Sequence, residues 1–201
     1  YWVSYPDMVT LAGADPVIIP TTSEQGFKIT PQQLKAAISD KTRLLFLNSP
    51  SNPSGACYTQ DELIALGEVL KQHPNIIIAS DDIYEYIYWG DEPYNNLLTA
   101  YPALKEQIVI INGVSKGYAM TGWRIGYAAG PEHFIKAMKT LQSQSTSCPN
   151  AIAQYAAEAA LMADPDSFLP PLLSQYKDRN DYLVKAINDI PGLEAMPTQG
   201  A

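Results

Sequence analysis

The sequence predicts an α/β protein, a three-layer α/β/α sandwich built on a mainly parallel sheet that contains one antiparallel strand. Three observations carry this prediction. Short apolar runs alternate with amphipathic helical stretches, as strand-helix-strand units require. Gly- and Pro-rich polar turns follow directly after the apolar runs, where open α/β sheets gather their ligands. The runs Ile108–Asn112 and Ile125–Ala129 are separated by too few residues for a crossover helix, so the second of them is expected to run antiparallel.

In chain order, the first expected strand is Val17 to Pro20. Thr30-Pro31-Gln32-Gln33 then offers an N-cap hydroxyl, a proline at the first helical position and a capping-box glutamine, ahead of the apolar Leu34 and Ile38. A second strand is expected at Leu44–Asn48. Thr59-Gln60-Asp61-Glu62 repeats the start signal, and Leu63, Leu66 and Leu70 form an apolar stripe at helical spacing, which reads as core packing. Ile76–Ser80, Ile108–Asn112 and Ile125–Ala129 complete the expected strands. After Pro131 the pattern turns helical through Phe134–Met138, pauses at the polar hinge Gln144–Asn150, and resumes over Ala151–Ala163. Asp164-Pro165-Asp166 breaks that helix, and a long one follows from about Ser167 to Ile190.

The bulk numbers narrow the function classes. With 201 residues, 46% of them hydrophobic, the chain has enough apolar material for a sizeable core, and its net charge of −8 repels nucleic acid and anionic membranes. Neither is expected as a partner. Cys57 and Cys148 stand in no metal-type spacing, and no metal site is expected; free thiols point to a reducing, cytoplasmic setting. The chain opens at Tyr1 without a methionine and closes on Pro197-Thr198-Gln199-Gly200-Ala201, a turn leading toward another strand, so it is expected to be the middle of a longer protein.

Chemistry concentrates around one lysine. Lys116 ends the apolar run from Ile108, sits between Ser115 and Gly117, and is followed by Arg124 within Gly122-Trp123-Arg124-Ile125-Gly126. A strand that delivers one amine to a glycine-lined turn, with a guanidinium close behind, can hold an aldehyde cofactor as a Schiff base and its phosphate as a bidentate ion pair. Pyridoxal 5′-phosphate is the cofactor this suggests. A lone loop lysine is more often a surface charge; Arg124 and the two segments Asn48-Ser49-Pro50-Ser51-Asn52-Pro53-Ser54-Gly55 and Asp81-Asp82-Ile83-Tyr84, both at strand ends, turn those odds.

Taken in order, these four segments resemble the fold-type I aminotransferases of class I/II, in a form most like the bacterial aspartate aminotransferases, and Tyr1-Trp2-Val3-Ser4-Tyr5-Pro6 is similar to that subgroup too. The resemblance implies that residues 1–165 form the large pyridoxal-phosphate-binding domain and residues 166–201 a long helix and the truncated start of a small domain. It implies that Lys116 carries the cofactor and then moves a proton from the substrate Cα to the cofactor C4′. Asp81 would pair with the pyridine nitrogen. The rival Asp82 lacks the spacing to Tyr84 that relatives show. Tyr84 and Asn52 would share the cofactor 3′-oxygen, Arg124 and Ser115 would face the phosphate, and Trp2 would lie over the ring. Lys116, Asp81 and Tyr84 are the expected catalytic residues, and Trp2 and Asn52 are also expected to meet substrate.

Two departures from the family pattern stand out. Gly113 occupies the position, three before the lysine, where relatives often carry a phosphate-binding hydroxyl. Animal and enteric relatives carry, near the position of Gln142, an arginine for the substrate's side-chain carboxylate that is absent here. The implied activity is transamination between an L-amino acid, aspartate first, and a 2-oxo acid, 2-oxoglutarate first, in a homodimer to which the 144–150 hinge contributes. A carbon-sulfur β-lyase of the same fold and a regulator's ligand-sensing domain are the alternatives.

Overall fold

The computed structural model describes residues 1–201. Strands β1 (Leu44–Asn48), β2 (Ile77–Asp81), β3 (Ile108–Gly113) and β4 (Gly126–Ala129) form one sheet in the order β1-β2-β3-β4. The first three are parallel and β4 returns antiparallel, pairing Ile110 with Ala129 and Gly113 with Gly126. The short link between β3 and β4 therefore has the consequence read from the sequence.

Around the sheet lie α1 (Ser4–Leu11), α2 (Pro31–Ala37), α3 (Gln60–Leu70), α4 (Leu97–Ala100), α5 (Glu132–Ser145), α6 (Ala151–Met162) and α7 (Leu169–Asn188). Both expected capping boxes form: the Thr30 and Thr59 side chains accept from the backbone N–H groups of Gln33 and Glu62, and those side chains accept in return.

Side-chain alternation along the strands divides the two faces. Leu45, Leu47, Ile78, Ile108 and Ile110 point to one face, where Leu34 of α2, Leu63, Leu66 and Leu70 of α3 and Leu97 of α4 complete the main core. On the other face Phe46 stacks on Tyr5 of α1 at 4.8 Å. Beside β3 and β4, a smaller cluster packs Val114 and Ile125 against Ala153 and Ala157 of α6. Small residues on α6 let the helix approach closely.

Two elements differ from expectation. Val17–Pro20 pairs with no strand: Pro16 and Pro20 bracket the run and supply no N–H for a ladder, and Val17 and Ile18 stay exposed. Helix α1 had no start signal, since its N-cap is Val3, which makes no side-chain cap. The hinge between α5 and α6 and the long α7 form as read. Helices α5 and α7 bury none of their residues, and Leu141, Ile152, Tyr155, Met162 and Tyr182 are exposed. No helix is long and apolar enough to cross a membrane.

Candidate active site

The C-terminal ends of β1, β2 and β3 bring the polar segments to one side of the sheet. At the end of β2, strand alternation sends the two neighbouring aspartates opposite ways. Asp82 turns inward with Ser80 and is 1% exposed. Its carboxyl accepts from Ser80 Oγ and Asn96 Nδ2, both at 2.8 Å. Asp81 turns to the other face, only half-buried, and accepts from the Ile83 N–H at 3.2 Å and from the Tyr5 phenol.

Burial pushes the Asp82 carboxyl up to about 7, against the opposing pull of its two hydrogen bonds. Its value in the unfolded chain is ordinary, so the native state holds an extra proton between about pH 4 and pH 7. Stability from this group is therefore complete below about pH 4 and is lost as pH rises through 7. Urea unfolding of the wild type is expected to give a lower stability at pH 8 than at pH 5, by at most about 3 kcal/mol from this carboxyl. Asp82→Asn should flatten that slope, and an unchanged slope would show that Asp82 is ionised in the native state throughout.

A hydrogen-bonded chain ties the β1 and β2 turns together. Asn48 Nδ2 donates to the Asp81 carbonyl at 2.9 Å, Asn48 Oδ1 accepts from the Asn52 N–H at 3.1 Å, and Asn52 Nδ2 donates to the Tyr84 hydroxyl at 3.1 Å. Tyr84 is buried, and Lys116 Nζ lies 5.4 Å from the centre of its ring. Lys116, Tyr84 and Asn52 are thus brought together from three separate strand ends.

The turn that carries Lys116 depends on close backbone approach. A Cβ on Gly117 would sit 2.8 Å from Tyr86 Cβ, so only glycine lets the turn settle against that ring. Gly113 is equally confined, because a Cβ there would lie 2.8 Å from the Ile125 carbonyl oxygen. The hydroxyl that relatives often carry at this position has no room here.

Arg124 holds a left-handed backbone conformation, with φ 57°, and its guanidinium donates to the Thr121 carbonyl at 3.0 Å. The Thr121 hydroxyl donates to the Ser115 carbonyl at 2.8 Å. Thr121 therefore links the Ser115 backbone to the Arg124 guanidinium and leaves the Ser115 hydroxyl and most guanidinium donors free for an anion. Trp2 is 48% exposed and meets Tyr5 edge-on at 5.8 Å. It reaches the rest of the site through Tyr5.

Tyr5 is the residue that sequence reasoning missed. Burial first, then its bond to Asp81, pushes its phenol well above the usual range, so it stays a donor to that carboxylate. Its spacing of one helical turn from Trp2 was the available signal.

Together these groups comprise an amine, a phenol and an amide that share a hydrogen bond, a carboxylate held by a phenol, and a guanidinium near a free hydroxyl. Such a donor set fits a planar heterocycle bearing an aldehyde, a phenolic oxygen, a basic ring nitrogen and a phosphate.

Comparison with known proteins places this geometry among relatives. The family model for aminotransferase class I and II matches residues 1–201. Over all 201 residues the chain is 52% identical to the aspartate/prephenate aminotransferase of Nitrosomonas europaea, covering 50% of that protein. It is 49% identical to the aspartate aminotransferase of Bacillus subtilis, covering 51% of it. The crystal structure of the Rhizobium meliloti aspartate aminotransferase superposes on the whole chain with a TM-score of 0.97 at 44% identity, covering 50% of that structure. A Thermus thermophilus aspartate aminotransferase with maleate superposes on the whole chain with a TM-score of 0.93 at 39% identity, covering 52% of that structure. The chain spans about half the length of the curated relatives it matches.

Proposed function

The chain belongs to the class I and II aminotransferases, and from that premise we propose that it forms the cofactor-binding body of a transaminase that moves the amino group of L-aspartate to 2-oxoglutarate. The observation that supports this most is the meeting of Lys116 with the Asn52–Tyr84 pair. Pyridoxal 5′-phosphate is the cofactor of this family. When bound, it supplies an aldehyde that condenses with amines and a ring that accepts the electron pair left at the substrate Cα.

The chain's own residues divide the remaining work. Lys116 would hold the cofactor through Nζ and, once free, would carry the proton between the substrate Cα and C4′. Asp81, held by the Tyr5 phenol, keeps the ring nitrogen protonated. Tyr84 and Asn52 donate to the cofactor's phenolic oxygen and favour its anionic form. Arg124 and Ser115 bind the phosphate, and Trp2 covers the ring while Trp2 and Asn52 meet the substrate. The net exchange would turn the donor amino acid into its 2-oxo acid and a second oxo acid into its amino acid.

Residues 1–165 then form the large domain, and residues 166–201 open the small one. The working protein is a homodimer in the cytoplasm. The apolar residues exposed on α5, α6 and α7 support further cover from the rest of the protein or a second copy. Several curated relatives carry prephenate in their names, so prephenate is the second acceptor to test.

Steady-state kinetics of the full-length protein with aspartate and 2-oxoglutarate test the proposal. The expected result is equimolar glutamate and oxaloacetate with parallel double-reciprocal lines, the signature of a ping-pong cycle. Ammonia released from the amino acid without any oxo-acid acceptor would replace the transaminase reading with a lyase.

A further inference from the structure

Asn52 and Tyr84 lie beyond the ordered sheet. The β1–β2 ladder ends at the pair Asn48 and Asp81, so no strand pairing holds the Asn52 loop against the segment that runs from Tyr84 to Trp89. A distant piece of chain lies between them instead. The Gln199 N–H donates to the Gly55 carbonyl at 3.0 Å, and the Gln199 carbonyl accepts from the Trp89 N–H at 2.8 Å. Its side-chain Oε1 accepts from the Cys57 N–H at 3.2 Å. One residue thus bonds the loop carrying Asn52 on one side and the segment carrying Tyr84 on the other.

The neighbours of Gln199 tighten the arrangement. The Trp89 indole N–H donates to the Thr198 carbonyl at 2.9 Å, Gly200 forms an antiparallel bridge with Tyr88, and the Ala201 N–H donates to the Ile87 carbonyl at 3.0 Å. The fit leaves no space for side chains at the contact points. A Cβ on Gly55 would collide with the Thr198 side chain, and one on Gly200 with the Ile87 carbonyl oxygen. Thr198 also reaches back to α7, where its hydroxyl donates to Asn180 Oδ1 at 2.8 Å.

We infer that Gln199 is a positioning residue for the Asn52–Tyr84 pair, holding the two loops at the separation at which both side chains reach one oxygen of the ligand. The inference rests on the transaminase reading for the identity of that oxygen, and on geometry alone for the clamp. Gln199 acts through Gly55, Cys57 and Trp89. Truncating its side chain frees the Cys57 N–H and loosens the Asn52 loop, while the two backbone bonds keep the segment in place. A carboxylate at the same position retains an acceptor for that N–H.

The test uses the full-length protein in four single variants, Gln199→Ala, Gln199→Glu, Asn52→Ala and Tyr84→Phe, and in the double variant Gln199→Ala with Asn52→Ala. In the cofactor-free protein, Gln199→Ala is expected to speed hydrogen exchange at the Cys57 amide by roughly 10-fold, and Gln199→Glu to leave it near the wild-type rate. With pyridoxal phosphate bound, Asn52→Ala and Tyr84→Phe should each raise the pH midpoint of the cofactor's visible absorption change by about one unit. Gln199→Ala should raise it by about half a unit. The shift should vanish when Asn52→Ala is already present, and Gln199→Glu should restore the wild-type midpoint. If Asn52→Ala and Tyr84→Phe shift the midpoint and Gln199→Ala does not, the positioning role is wrong and the site reading stands. If none of the variants shifts it, the reading of the site is wrong and the inference falls with it.

Discussion

Lys116→Ala is expected to lower turnover of the full-length protein by roughly 10³-fold or more while leaving its fold intact. Positioned proton transfer alone is worth about 10²- to 10⁴-fold, and in the proposed function the same amine also anchors the cofactor. The structural cost of the change is small. The chain's four ion pairs do not include Lys116, whose Nζ lies 5.4 Å from the centre of the Tyr84 ring. Lys116→Arg keeps the charge and is expected to be as inactive, because a guanidinium neither attacks an aldehyde nor exchanges protons at neutral pH. Circular dichroism beside the kinetic assay separates lost chemistry from lost folding. Turnover within tenfold of wild type in either variant would remove Lys116 from the centre of the mechanism.

Asp81→Asn should cost nearly as much. The carboxylate sits at the end of β2, fixed by the Ile83 N–H and the Tyr5 phenol, and so would meet the proposed ligand without reorganising. With the cofactor over it the half-buried carboxylate would become one partner of a buried charge pair, and removing such a partner costs about 3–5 kcal/mol, or roughly 10²- to 10⁴-fold in rate. The loss should fall on kcat, since a ring nitrogen that loses its proton weakens the electron sink more than it weakens binding. Tyr5→Phe keeps the stack on Phe46 and removes only the phenolic donor. A hydrogen bond to a charged group is worth about 1.5–3 kcal/mol, so a smaller loss of roughly 10- to 10²-fold is expected. Equal effects of Asp81→Asn and Tyr5→Phe would mean that the phenol, not the carboxylate, meets the ligand.

The sheet was legible because its strands are short apolar runs bounded by turns, and the antiparallel return of β4 followed from chain length alone. Helices α2 and α3 were legible through Thr30 and Thr59, whose caps formed with the partners the sequence offered. Where local signals were missing or misleading, reading failed. Val17–Pro20 has strand composition, yet its bracketing prolines deny it a ladder. Helix α1 follows an N-cap valine that makes no side-chain cap, so nothing local marked Tyr5 and its bond to Asp81 went unseen.

Within the candidate site, the segments around Asn52, Asp81, Tyr84 and Lys116 were recognisable because each follows a strand. Their mutual geometry was not. The contact between Cys57 and Gln199 spans 142 positions, and no local pattern encodes a pairing of that range. The missing hydroxyl at Gly113 looked like a lost phosphate contact; the tight pairing of β3 with β4 gives it a packing cause instead.

The central claim is that Lys116 is the amine that holds pyridoxal phosphate. The most direct test is borohydride reduction of the full-length protein in the presence of the cofactor, followed by peptide mass mapping. The account predicts a reduced pyridoxyl group on Lys116 and on no other lysine, absent from Lys116→Ala. A label on a different lysine, or no label on the cofactor-saturated protein, would contradict it.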